Sequence, residues 1–262
     1  VRAVSLVHVP SNGGLVNPAE EVGALCRRFG ALYLLDACQS VGQLPVDVRK
    51  IGCDALCTTG RKYLRGPRGT GFLYVRQASL EGLGEPPTID HHGAALVTVT
   101  AGAAAVNAAT SYRLSPNARR FEFWESNVAG RLGLGAAIRY ALAIAPMAAV
   151  EKCISLLAES LRAGLRRVPG VVVRDLGRRR CGIVSFTLPK DAPPPVQVQA
   201  ALARRGVFVS ASGAASTPLD AANRGLAAGV LRASVHYYNT DEEVERFLEE
   251  LRRVLSEGGG GG

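Results

Sequence analysis

Several features are scarce in this 262-residue chain, and each scarcity narrows what it can be. No apolar run reaches the roughly eighteen residues that a membrane-crossing helix needs, so no membrane partner is expected. Only four of the 31 basic residues are lysines, at positions 50, 62, 152 and 190. The arginines that dominate the net charge of +9 are scattered or in short runs, the densest being Arg119-Arg120 and Arg178-Arg179-Arg180, with no aromatics between them. A nucleic-acid-binding surface has a different pattern, and no nucleic-acid partner is expected. The chain opens on VRAVSLVHV, with neither an initiator Met nor a signal-peptide layout. It therefore reads as a soluble, cytoplasmic protein cut at its N-terminus. Six cysteines fall in predicted helices and strands of a chain too large to need disulfide staples, which fits a reducing compartment. Cys53 and Cys57 are spaced C-x3-C, but no second Cys or His pair completes a zinc site. They read as small buried apolar residues, and no metal is expected.

What the chain does have is ample apolar residue, 47% against 20% charged, enough for a sizeable core. The first half alternates short apolar strands with helices: strand 3–9, a helix from Pro18 to Gly30, then strands 31–35, 54–57 and 71–75. That alternation predicts an α/β fold with a mainly parallel sheet flanked by helices. Residues 77–119 show poor periodicity apart from a small-residue helix over 101–110, and a stretch this long is expected to shape an active site or an interface. A long helix over 126–145 follows. The remainder mixes helices (147–167, 196–204, 241–255) with strands (171–174, 182–188, 207–210, 230–235), as in a smaller α+β domain. The expected division is therefore 1–145, 146–257 and a flexible Gly tail, 258–262.

Ligands in open α/β sheets bind beyond the carboxyl ends of the strands. Three polar features fall there: His8 to Asn12, Asp36 in Leu-Leu-Asp-Ala-Cys-Gln-Ser, and Thr58-Thr59-Gly60-Arg61-Lys62. A lone Asp at a strand end is commonly a turn former. Asp36, however, is followed by a Lys set among hydroxyls, an Arg and glycines, in a chain with few lysines to choose from. That pairing suits pyridoxal phosphate, whose aldehyde needs a Lys for a Schiff base and whose pyridinium needs an anionic partner. Thr59, Gly60 and Arg61 could supply donors for its phosphate.

The runs Asp36-Ala-Cys-Gln39, Thr59-Gly60-Arg61-Lys62 and Gly66-Pro67-Arg-Gly69-Thr-Gly71-Phe-Leu-Tyr74 resemble the class V aminotransferase and cysteine desulfurase family of fold type I pyridoxal-phosphate enzymes. The resemblance implies that Lys62 forms the Schiff base, that Asp36 pairs with the pyridinium nitrogen and that Gln39 bonds the phenolate oxygen. Thr59 and Arg61 would face the phosphate, although Arg61 stands where the family usually has His. Ser11 or Asn12 is the candidate polar group near the ring and substrate, with a plain turn as the alternative. Arg232, in Arg232-Ala-Ser-Val-His236-Tyr-Tyr-Asn239-Thr240, matches the arginine that grips the substrate α-carboxylate. The segment Arg120-Phe-Glu122-Phe-Trp-Glu125-Ser-Asn127 resembles the family's R-F-E-x-G-T-x-N, but Glu125 replaces the phosphate-binding Thr. His91 and His92 are expected in a surface turn.

Cysteine desulfurases carry a mobile Cys in an S-S-G-x-x-C loop, and the matching stretch here has Ser216 in that place. The resemblance therefore implies a relative that breaks a bond at Cα or Cβ of an amino acid without a persulfide cysteine. Its wording is closest to the C–S lyase branch linked to ergothioneine formation, with an aminotransferase as the alternative. The family's homodimeric habit makes a second copy the expected partner. The family's N-terminal part has no counterpart before Val1, so a catalytically incomplete fragment or a dimerising module is a further alternative.

Overall fold

The computed structural model describes residues 1–98 and 109–258. Strand β1 (Ala3–Val7), helix α1 (Ala19–Phe29), strand β2 (Leu32–Asp36), helix α2 (Val48–Ile51), and strands β3 (Ala55–Thr59) and β4 (Gly71–Val75) build one sheet in the order β1-β2-β3-β4. β1, β2 and β3 run parallel, with Val7 paired to Asp36 and Asp36 to Cys57. β4 departs from the parallel expectation and runs antiparallel to β3. Residues 60–70 hold no crossover helix, and a parallel return needs one.

Tyr33, Leu35 and Leu56 form the buried face of this sheet with Cys26, Ile51 and Cys53. The approach of α1 to α2 requires Gly23, where a Cβ would lie 1.8 Å from the Ile51 carbonyl oxygen. On the other face Val7, Leu34 and Leu73 are open to solvent, and Cys57 is exposed among them. The expectation that Cys53 and Cys57 are both buried thus holds for Cys53 alone. Cys53 precedes β3 and packs into the core outside the strand's alternation, whereas Cys57 lies within β3, paired with Asp36 and Leu73 on the open face.

A β5–β6 hairpin (Ala94–Thr98, Ala109–Leu114) follows. Of the helix expected over 101–110, residues 101–108 lie outside the described residues, while Ala109 and Thr110 belong to β6. His91 and His92 sit in the turn before β5, where Asp90 Oδ1 accepts from His92 N at 2.8 Å and the His91 ring lies 4.7 Å from that of Trp124. Helix α3 (Val128–Ile144) is capped by Asn127, whose side chain accepts from Gly130 N. It leaves Leu132 and Leu142 each about 70% exposed.

Helix α4 (Met147–Arg166) leads into a second sheet of strands β7 (Val172–Val173), β8 (Ile183–Thr187), β9 (Ser210–Ser212) and β10 (Val230–Ser234), ordered β7-β8-β10-β9 and wholly antiparallel. Helices α5 (Pro195–Arg204) and α7 (Asp241–Gly258) flank it, and α6 (Pro218–Arg224) begins with a helix-compatible proline that the sequence reading passed over. The strand expected at 207–210 forms at 210–212 instead. Val207 N is drawn back to Leu202 O at the end of α5, and Val209 O accepts from Gln199 Nε2, so ladder pairing with β10 starts only at Ser210. Gly258 closes α7 rather than opening a tail, and 259–262 lie outside the described residues. Among the described residues no single helix is long and apolar enough to cross a membrane.

The second core lies between this sheet, α4 and α7, and draws Val9, Val16, Leu44 and Tyr63 from the first half of the chain. The halves are also pinned by an ion pair with almost no exposure. Arg162 Nε donates to Asp175 Oδ2 at 2.7 Å, and Asp175 Oδ1 accepts from Gly14 N at 3.1 Å and from Ser185 N at 2.9 Å. The remaining Arg162 nitrogens reach Cys181 O, Ile183 O and Glu159.

Arg162→Met is expected to cost about 3–5 kcal/mol in urea unfolding, because it strands the buried Asp175 charge. Adding Asp175→Asn should recover part of that loss by removing the charge. His8 titrates in the acid range. Burial, with the Arg179 charge, lowers its pKa to about 4 from the ordinary 6.5. Stability from a neutral His8 is full above pH 6.5 and is lost as pH falls toward 4. Urea midpoints across that window should decline with a slope that His8→Leu reduces.

Candidate active site

Asp36 is the last residue of β2, so its carboxylate stands at the carboxyl edge of the parallel strands. It folds the chain locally by accepting from Cys38 N at 2.9 Å, and its carbonyl accepts from His8 N at 2.9 Å. Burial and the Asp36 carboxylate push the Cys38 thiol up to about 11. The turn that follows closes on Ala37 O, which also accepts from Thr58 Oγ1 at 3.3 Å. Gln39 is buried, and its Nε2 donates to Ser11 Oγ at 3.2 Å. Gln43 is buried as well, donating to Gln39 O and accepting from Gly182 N at 3.1 Å, so this turn is sewn to the second half of the chain.

Lys62 lies on the turn after β3. Gly66 N donates to Gly60 O and Arg65 N to Lys62 O, each at 2.8 Å. The Asp36 turn rests directly on this one. At Gly42 (φ +94°) a Cβ would fall 2.7 Å from the Tyr63 carbonyl carbon, so only glycine permits both the backbone angle and the contact. Burial lowers the Lys62 pKa, and the cations Arg61 and Arg232 lower it further. Cys38 and Asp36 pull the other way. An amine shifted in this direction is a better base and nucleophile near neutral pH.

Arg232, on β10, comes from the antiparallel sheet. Nη1 donates to Ser11 O at 2.6 Å and Nη2 to Ser210 Oγ at 3.4 Å, while Nε is buried without a hydrogen-bond partner. A guanidinium has five N–H donors, so three remain for an anion. Asn12 is held at both ends: its carbonyl accepts from Ser185 Oγ and its Oδ1 from Ser212 Oγ, each at 2.9 Å. The structure thus gathers Ser11, Asn12, Asp36, Gln39, Lys62 and Arg232. Thr59 sits at the rim, donating to Thr70 O at 3.4 Å, and Arg61 is exposed. Reading the sequence missed Ser185, Ser210, Ser212 and Gln43. Gln43 stands in the same run as Asp36 and Gln39, whereas the serines gain meaning only from strand pairing. Ser216 is exposed in a short 3₁₀ turn at residues 214–216.

A carboxylate and a depressed amine at the ends of parallel strands lie with a guanidinium from a second sheet, a set of groups that could receive an anion and an amine-reactive carbon. The chain belongs to the class V aminotransferase family, whose model matches residues 1–247. It is similar to a probable cysteine desulfurase of Methanothermobacter thermautotrophicus, 32% identical over 261 residues, which cover 98% of this chain and 61% of that protein. It is also similar to a cysteine desulfurase of Escherichia coli strain K12, 32% identical over 97% of this chain and 58% of that one. The apo cysteine desulfurase of Thermococcus onnurineus superimposes with a TM-score of 0.85 at 29% identity, covering 98% of this chain and 60% of that one. The cystine C–S lyase C-DES, in complex with its product cysteine persulfide, does so at 0.77 and 26% identity, covering 96% and 61%. The chain therefore spans about 60% of the length of these relatives.

Amine labelling followed by mass spectrometry across pH should give Lys62 a lower midpoint than Lys50, Lys152 or Lys190. Arg232→Ala removes a repelling cation and should raise that midpoint, and Asp36→Asn removes an attracting anion and should lower it further.

Proposed function

We propose that the protein is a pyridoxal-phosphate-dependent C–S lyase that acts on an amino acid by β-elimination and uses no persulfide cysteine. The observation that carries this reading is the pairing of a depressed Lys62 with Asp36 and Arg232 in a chain that has Ser216 at the desulfurase cysteine position. The residues fit the cofactor and its substrate: a carboxylate, a buried amide and a lysine amine for the first, and a buried guanidinium Nε with no partner for the second. When bound, the cofactor supplies an electron sink for the substrate Cα. Lys62 would hold it through its amine, Asp36 would meet its ring nitrogen, Gln39 its phenolate oxygen and Thr59 and Arg61 its phosphate, with Ser11 toward the ring.

Arg232 grips the substrate α-carboxylate through its free N–H groups, and Asn12, fixed by Ser185 and Ser212, borders the same space. The Lys62 amine would take the proton from Cα as general base, and the Cβ–S bond would break with its electron pair leaving on sulfur as a thiolate. A thiol acceptor on the protein is unnecessary because the sulfur departs with its own substituent. A cystine C–S lyase is among the similar structures, alongside cysteine desulfurases of equal or greater similarity, and the preference for the lyase route rests on Ser216. We further place the division between the cofactor-binding part and a smaller C-terminal part near residue 145, and the protein in the cytoplasm. A second copy of the chain is the partner for the apolar residues exposed on α3.

The test begins with the purified protein and added pyridoxal phosphate. An absorbance band of lysine-bound cofactor should form and be missing in Lys62→Ala. Cystine, cysteine conjugates and cysteine sulfoxides should then release pyruvate. Keto acids from ordinary amino acids without pyruvate would replace the lyase by an aminotransferase, alanine from cysteine would restore a desulfurase, and no band would remove the enzymatic reading.

A further inference from the structure

Lys62 and Arg232 reach the site from opposite ends of the chain, and the contact that ties their two segments together is made by His236, which the catalytic reading leaves unused. His236 lies just beyond β10 and is 6% exposed. Its Nε2 meets Tyr63 O at 3.0 Å, its Nδ1 accepts from Tyr237 N at 2.9 Å, and its backbone N donates to Asn239 Oδ1 at 2.8 Å. The backbone donor at Nδ1 fixes the tautomer, leaving the ring neutral with its proton on Nε2, directed at Tyr63 O. The ring is sandwiched between Tyr63 (centroids 5.2 Å, planes 25° apart) and Tyr238 (4.6 Å, 15°).

Tyr63 immediately follows Lys62, so the ring holds the carbonyl one residue from the amine-bearing position. A second tie lies alongside. Arg65, whose N donates to Lys62 O, adopts a left-handed backbone (φ 55°) rare for a residue with a side chain. Its guanidinium packs over Tyr140, Tyr237 and Tyr238 at 5.1–5.3 Å and donates to Tyr237 Oη. A non-glycine left-handed residue persists where its surroundings over-determine it, and here they are the residues flanking His236.

We propose that His236 is a positioning residue. It fixes the Lys62 turn against the strand that carries Arg232, so that the amine and the carboxylate-binding guanidinium keep one separation. The inference rests on the proposed roles of Lys62 and Arg232 for its catalytic consequence, but the tie itself is independent of them. The charged and titratable groups that face Lys62 are Asp36, Cys38, Arg61 and Arg232, and those that face His236 are Arg65 and the phenols Tyr63, Tyr237 and Tyr238. None of these is altered by the substitutions below.

His236→Phe keeps a stacked ring and removes both ring hydrogen bonds, whereas His236→Gln can both donate to Tyr63 O and accept from Tyr237 N. In cofactor-free protein, the Lys62 labelling midpoint should rise by about half a pH unit in His236→Phe as the turn loosens toward solvent, with Lys50, Lys152 and Lys190 as internal standards. His236→Gln should return it to the native value. In the cofactor-loaded protein, His236→Phe should lower kcat roughly tenfold with a smaller change in KM, and Gln should restore most of it. An unchanged labelling midpoint in His236→Phe, or equal behaviour of Phe and Gln, overturns the proposal. A shifted midpoint in a protein that never takes up the cofactor leaves the tie standing and removes the catalytic reading.

Discussion

The buried pair of Arg162 and Asp175 is the constraint on which the arrangement of the site depends. A buried ion pair is a poor source of net stability, since desolvating both charges offsets most of their attraction. What it supplies is geometry. Asp175 spends its remaining lone pairs on Gly14 N and Ser185 N, and Arg162 spends its other donors on the carbonyls of Cys181 and Ile183. One salt link therefore sets where the segment after β1 lies against β8. Ser11 and Asn12 are three and two residues from Gly14, and through Ser11 the link governs Arg232 and Gln39. Ser11, Gln39 and Arg232 are placed, directly or at one remove, by a pair that lies outside the proposed site.

The two halves of the chain are interleaved more than their separate sheets suggest. Tyr63, Val9, Val16 and Leu44 belong by sequence to the first half and by packing to the core of the second. This is a physical solution to a difficult requirement. In the proposed roles, Lys62 and Arg232 must face each other across a gap, yet they come from different sheets with different strand directions. Packing the flanks of the lysine turn into the other core makes relative movement costly, because interiors are close-packed and do not deform continuously.

Strand and helix content was legible wherever a local period sufficed: α1, α4, α7 and the parallel strands fall within a few residues of expectation. The cofactor-binding candidates were legible because Asp36, Gln39 and Lys62 stand in short contiguous runs. Long-range pairing was not legible. β4 runs against its neighbours because its connection is too short to cross over, a fact of topology rather than of its own residues. β9 begins at Ser210 because Leu202 and Gln199 compete for the backbone before it. Arg162 reads in sequence as one more arginine on an amphipathic helix, and nothing near it signals that Asp175 will bury it. His236 carried no signal either, since its partners are a backbone carbonyl from 173 positions earlier and two rings whose stacking no spacing encodes.

Gly42 has a consequence of another kind, for how such a chain can change over time. Its α-carbon is the point where the Asp36 turn leans on the Lys62 turn, at a backbone angle that only glycine takes without strain. Any larger residue would have to displace both turns at once, so single substitutions at this position are barred and drift is channelled elsewhere. Arg61 shows where it can go. Its side chain is exposed, so a change there meets no second backbone. Tolerance to substitution is expected to be low where two backbones meet and higher one side chain away.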